Sequence, residues 1–199
     1  MTKKMINQKD KFYEELVDTI EPNFVFKDKP INRFNIAKNN NDYDQANKVE
    51  LLEELKKQIN SIENCKLKDN SQNLVLGDGN INSPIMLIGE APGIEEDKSG
   101  TTFKGEVGDL LNKMLLAIGI KIQNIYCSYA INFRPPEDRK PTAQEIKRYS
   151  VFLKKHISII NPKIIILMGS SAMESLTGIS SKISSERGKW KETILNNQT

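Results

Sequence analysis

Glycine, proline and acidic residues crowd into one short segment, Leu87-Ile88-Gly89-Glu90-Ala91-Pro92-Gly93-Ile94-Glu95-Glu96-Asp97, in which an apolar run enters a turn and the turn ends in three adjacent acids. Gly89 and Gly93 let a backbone approach a ligand closely, Pro92 stiffens the turn, and Glu90, Glu95 and Glu96 supply acceptors or a general base. A solvated acidic loop would read the same over these few residues. Immediately downstream, Phe103 stands in the glycine-bounded segment Gly100 to Gly105, either as a loop anchor tucked into the core or as a platform on which a planar group stacks. A second loop, Arg134-Pro135-Pro136-Glu137-Asp138-Arg139-Lys140-Pro141, sets cations between prolines. Arg134, Arg139 and Lys140 suit fixed contacts to phosphate, and the arginines alternatively suit pairing with Glu137 and Asp138. No lysine follows the Gly89 to Gly93 turn at phosphate-loop spacing, which counts against a phosphate-cradling nucleotide module.

Taken in order, GEAPGIEEDKSGTTFKGEVGDLL, IYCSYAINFRPPEDRKPTAQEI, NPKIIILMGSSA and SERGKW resemble the family 4 uracil-DNA glycosylases, in particular those with an aromatic residue before Arg-Pro-Pro. The likeness runs from about Asn64 to Trp190. It implies hydrolysis of the N-glycosidic bond of uracil in DNA, as in base excision repair, after the nucleotide has been drawn from the stack. By resemblance Phe103 is the stacking platform, and Glu90 with the Gly89, Ala91 and neighbouring backbone frames the sugar and uracil. Glu96 orients or activates water, Asp97 braces the loop, and Arg134, Arg139 and Lys140 meet DNA. The family reads the uracil edge with an asparagine where this chain has Tyr129, and a phenol offers one hydroxyl where an amide both donates and accepts. Lys104 and Val107 also depart from the family around Phe103. A His-Pro segment follows the Arg187 to Trp190 match in the family and is not found before Thr199. The only histidine, His156, falls in a helical segment and reads as a packing or surface residue.

Family 4 enzymes usually hold a four-iron, four-sulfur cluster on four cysteines. Here Cys65 matches one ligand position, while Ile62, Phe133 and Ser150 stand at the others, so no cluster and no other cofactor are expected and Phe133 is expected to fill the volume. The second cysteine, Cys127, reads as a small core residue.

These residues need a scaffold. Pro84 to Ile88 suits a strand buried on both faces, with further strands expected at Ile125 to Ile131 and Ile164 to Met168. Leu74 to Leu76 runs into Gly77-Asp78-Gly79-Asn80, a turn-rich link. Between the strands lie helices at Asp109 to Gly119, closed by its glycine, and at Gln144 to Ile160, with Thr142 as N-cap and Pro162 beyond the end. The alternation gives the α/β class, a three-layer α/β/α sandwich around a short parallel sheet. Residues 1–63 read as a polar helical N-terminal extension, with helices at Lys9 to Ile20 and Tyr43 to Ile62 around a linker at Glu21 to Asn41, and residues 64–199 as the glycosylase-like domain.

At 199 residues and a net charge of +3 the chain suits one such domain, and the charge permits DNA through a local patch without requiring it. No apolar run approaches the ~20 residues of a membrane span, and the N-terminus lacks a secretory apolar core, so no membrane partner, a cytoplasmic location and a monomer are expected. Uracil-containing DNA, single- or double-stranded, is the expected partner. The alternative is a non-catalytic relative that keeps the fold and binds DNA or another protein.

Overall fold

A computed structural model describes residues 45–192. Its elements are α1 (Gln45–Asn60), α2 (Lys66–Asn70), β1 (Gly77–Gly79), β2 (Ile85–Gly89), α3 (Ile94–Ser99), α4 (Gly105–Ala117), β3 (Tyr126–Tyr129), α5 (Ala143–Ile160), β4 (Ile164–Leu167), α6 (Ser170–Thr177) and α7 (Ile183–Glu186). The sheet order is β1-β3-β2-β4. Strand β2 pairs in parallel with both β3 and β4, with Gly89 opposite Tyr129 at the carboxyl ends.

Side chains alternate along these strands and so divide two cores. Met86, Ile88, Tyr126 and Ala130 face the layer that holds α1, α2, α5 and α6. Leu87, Cys127 and Tyr129 face the other layer with Leu111 and Leu115 of α4 and Phe103. The three-layer sandwich follows, and Cys127 is the core residue its sequence context suggests.

The sheet is mixed, not purely parallel: Gly77–Gly79, read from sequence as a link, is an edge strand antiparallel to β3. Glycine and aspartate carry little strand propensity, and the pairing rests on close approach. A Cβ at Gly77 would lie 2.7 Å from the Cys127 carbonyl oxygen, so only glycine lets these backbones meet. Neighbouring side chains hold the edge: Ser128 Oγ donates to the Leu76 carbonyl at 2.8 Å and Asn132 Nδ2 to that of Val75 at 3.1 Å.

Helix α1 lies within the helix expected at Tyr43 to Ile62 and packs on the first core. Leu55 and Ile59 are fully buried in the first core, and the Lys48 ammonium donates to the carbonyls of Ile81 and Ile160 at 3.2 and 3.0 Å. The helix belongs to the same compact unit as the sheet, a unit that continues on both sides of residue 63. Its stripe, Lys48, Leu52, Leu55 and Ile59, is narrow and opens with a charge, which made it look solvated. The expected helix at Lys9 to Ile20 and the linker at Glu21 to Asn41 lie outside the described residues.

Helix α5 starts where expected. Thr142 Oγ1 accepts from the Glu145 amide and Glu145 Oε2 accepts from the Thr142 amide at 2.7 Å, a reciprocal cap, and Asn161 ends the helix with φ of 53°. Helix α4 begins four residues earlier than its apolar pattern suggests, at Gly105.

Candidate active site

Parallel pairing of β2 and β3 delivers Gly89 and Tyr129 side by side to one end of the sheet, the position where open α/β folds collect ligands. The chain beyond Gly89 is tied to the segment beyond Tyr129 by hydrogen bonds from Ala130 N to Gly89 O (2.9 Å) and Ile131 N to Glu90 O (3.2 Å). The two informative loops of the sequence therefore leave the sheet from adjacent strands.

Glu90 is half-buried, and its Oε2 accepts from the Ser171 hydroxyl at 2.7 Å. Ser171, in the first turn of α6, was not singled out by sequence, although the Gly169-Ser170-Ser171 turn after β4 carried a signal. The remaining Glu90 oxygen has no hydrogen bond to protein among those described. Ala91 packs against the first core.

Glu96 differs sharply. It is buried, and its two oxygens accept from the Gly93 amide (3.0 Å), the Lys104 amide (2.9 Å) and the Tyr129 hydroxyl (3.3 Å). It thus ties the Gly89 to Gly93 turn to the loop carrying Phe103. Asp97, also buried, accepts from the amides of Gln72 and Asn73 at 2.9 and 3.1 Å, the bracing part expected of it. A further clamp was invisible in sequence: Asp78 on β1 accepts from the Thr102 amide and hydroxyl at 2.7 and 2.8 Å. Phe103 follows Thr102 with φ of +48°, a left-handed conformation rare outside glycine and asparagine, and the Asp78 clamp on one side with the Lys104 amide on the other holds it there.

The Phe103 ring is buried, as the loop-anchor alternative of the sequence reading has it. Its centroid lies 5.0 Å from that of Tyr129 at an interplanar angle of 40°, and the Tyr129 hydroxyl accepts from the Phe103 amide at 3.0 Å. Burial raises the Tyr129 pKa well above the ordinary phenol value, so the phenol stays protonated and donates to Glu96.

The basic loop is exposed from Glu137 to Lys140, Arg134 is half-buried, and both arginines are paired. Arg134 makes a two-pronged pair with Asp138 (Nε–Oδ1 2.7 Å, Nη2–Oδ2 2.9 Å), which raises the arginine and lowers the aspartate pKa. Arg139 does the same with Glu145, whose pKa falls to about 2 chiefly through that pair. The pairing read as the alternative in the sequence is thus present, with Glu145 in place of Glu137. Lys140 is exposed beside them.

The family's cluster position does not fit a metal group. The Cys65 sulfur is buried 3.2 Å from the Tyr149 hydroxyl, and the Phe133 ring packs edge-on to Tyr149 at 6.4 Å. Ile62 packs against the same core, and Ser150 Oγ donates to the Lys147 carbonyl. One thiol amid apolar and aromatic side chains offers no further soft ligand, and no three His, Cys, Asp or Glu residues converge for a metal among the described residues.

His156 faces the opposite core from Phe103. It is buried between the Tyr126 hydroxyl (2.9 Å) and Ser128 Oγ (3.3 Å), and desolvation pulls its pKa down to about 3, so it is a neutral packing histidine.

The chain matches the family described as the uracil DNA glycosylase superfamily over residues 76–198, which spans β1, both loops and α6. The chain belongs to that superfamily. Over 124 residues it is 38% identical to the type-4 uracil-DNA glycosylase of Thermotoga maritima, covering 62% of this chain and 65% of that protein. It is 34% identical over 126 residues to the type-4 enzyme of Archaeoglobus fulgidus, covering 63% of each, and 38% identical over 122 residues to that of Sulfurisphaera tokodaii, covering 61% of this chain and 56% of that protein. The chain thus spans less than two thirds of these relatives' lengths. Within the superfamily domain, the strand ends and the two loops that carry the resemblance are the ones the fold brings together.

Proposed function

We propose that the protein hydrolyses the N-glycosidic bond of uracil in DNA, releasing free uracil and leaving an abasic site. The observation that carries this is the convergence of Gly89, Glu90, Glu96, Phe103 and Tyr129 at the ends of two paired strands in a uracil DNA glycosylase superfamily chain. Extruding a nucleotide costs a few kcal/mol, which an aromatic face and edge hydrogen bonds return. Water attacks the anomeric carbon as the bond to the base nitrogen breaks, the bonding pair leaving with the base. The sugar passes through a cationic state that a nearby carboxylate stabilises. Glu90, half-exposed and oriented by Ser171, is the carboxylate free to do so and to receive the water's proton. Glu96, with three donors on its two oxygens, supports this by fixing both walls of the pocket.

Arg134, Arg139 and Lys140 meet backbone phosphate, the arginines exchanging Asp138 and Glu145 for phosphate oxygens. No iron–sulfur cluster belongs to this reading, since by resemblance only Cys65 meets a ligand position and Ile62, Phe133 and Ser150 stand at the others. No described helix is long and apolar enough to cross a membrane, and the reading is of a monomer acting on DNA in the cytoplasm. The alternative reading is a non-catalytic relative that keeps the fold and binds DNA or another protein. Excision from a labelled single strand carrying one uracil decides between them: alkali-sensitive cleavage lost in Glu90→Gln supports the glycosylase, and a folded parent without cleavage supports the alternative.

A further inference from the structure

Three groups in this pocket could recognise a flat, polar ligand: the face of Phe103, the Phe103 amide and a Glu96 oxygen. Tyr129 engages all of them. Its ring packs on Phe103, its oxygen accepts from the Phe103 amide as a base carbonyl would, and its proton goes to Glu96 as an imide proton would. The floor is also taken, because a Cβ on Gly89 would lie 2.7 Å from two carbons of the Tyr129 ring and 3.1 Å from the tip of Phe103. Tyr129 and Phe103 are only 5% and 8% exposed, which leaves no open face on which a base could stack.

We propose that Tyr129 is a self-ligand of the base pocket, its phenol standing where an extruded pyrimidine would stack, so that the site admits a base only when Tyr129 swings out. This rests on the reading of the site as one that excises a base. A hydroxyphenyl ring and a pyrimidine are of similar size and both put an oxygen acceptor and a polar hydrogen at their rim, which is why one substitutes for the other. Displacing Tyr129 becomes part of every binding event. The apparent affinity falls by the fraction of molecules in which the pocket is open, and an open fraction of a few per cent lowers it by about tenfold or more.

The test is binding of free uracil, which needs no bond cleavage, measured by titration calorimetry on the parent, Tyr129→Ala and Tyr129→Phe, with folding checked by circular dichroism. Tyr129→Ala should bind uracil at least about tenfold more tightly than the parent, while Tyr129→Phe, which keeps the ring, should not gain that affinity. Equal affinity in parent and Tyr129→Ala, or a Tyr129→Phe that binds as well as Tyr129→Ala, would overturn the proposal. Should Tyr129→Ala not fold, the ring resonances of Tyr129 in the parent, assigned by their loss in Tyr129→Phe, carry the test on addition of a uracil-containing strand. They should move to solvent-exposed shifts, and an unmoved ring in the bound complex would refute it. A gain in uracil affinity in Tyr129→Ala, with no cleavage by either the parent or the variant, would sustain the self-ligand and sink the glycosylase reading; cleavage by the parent with no gain in uracil affinity would do the reverse.

Discussion

Glu90 and Glu96 are a few positions apart in one loop, yet one is half-buried and the other buried. Glu96 is buried with the Gly93 and Lys104 amides donating to it, so Glu96→Ala leaves two backbone donors without partners. The expected loss is about 2–4 kcal/mol in urea unfolding, with Glu96→Gln costing less because it retains one carbonyl acceptor. A loss under about 0.5 kcal/mol would show that the loops do not depend on it. His156 gives a pH signature. Its pKa is about 3 in the fold against an ordinary 6.5, so above pH 6.5 it is neutral folded or unfolded and contributes no slope. Below that, only the unfolded chain takes up the proton, and stability should fall by about 1.4 kcal/mol per pH unit until the folded pKa is reached. Between about pH 6 and 5, above the carboxylate range, His156→Gln should remove this slope; an unchanged slope would place the titrating group elsewhere. At this scale the candidate residue types were legible, but the choice between the two readings of Phe103 and the satisfaction of Glu96 were not, because both depend on Tyr129 arriving from another strand.

The elements that a strong local pattern specifies were readable in the sequence. Strand β2 is a continuous apolar run and is buried throughout its last four residues, and α5 carries both its cap and its stop signal. Strand β1 was not readable, since a Gly-Asp-Gly strand exists through its partner β3; helix α1 was readable as a helix, but its burial was not, since a stripe of three apolar residues and a lysine gains its place through contact with α5. The contact between the ends of β2 and β3 is likewise a tertiary fact with a mutational consequence. In the parent, Gly89→Ala forces a methyl onto the Tyr129 ring and should cost about 1–3 kcal/mol. In a Tyr129→Ala background the same change should cost clearly less, a coupling of about 1 kcal/mol or more in a double-mutant cycle. Additive costs would mean that the two side chains do not share the space.

For the whole molecule, the net charge of +3 is too small to hold DNA by a general field, so the proposed binding rests on local cations such as those of the Arg134 to Lys140 loop. Arg134 starts from a two-pronged pair with Asp138, and its release to phosphate trades one exposed partner for another. Arg134→Ala should weaken binding to uracil-containing and normal strands alike and reduce the salt slope by about 1; an identical slope would show that the arginine serves only to fold its loop. The superfamily sandwich was legible as a whole from the alternation of strands and helices, whereas the mixed sheet and the burial of α1 were not. The most direct measurement is single-turnover release of uracil from a labelled single strand by the parent, Glu90→Gln and Tyr129→Asn. The parent should cleave, Glu90→Gln should lose about 10²-fold or more, and Tyr129→Asn should be faster than the parent. No uracil released by any of the three, with each folded and bound to the strand, would contradict a glycosylase built on this loop.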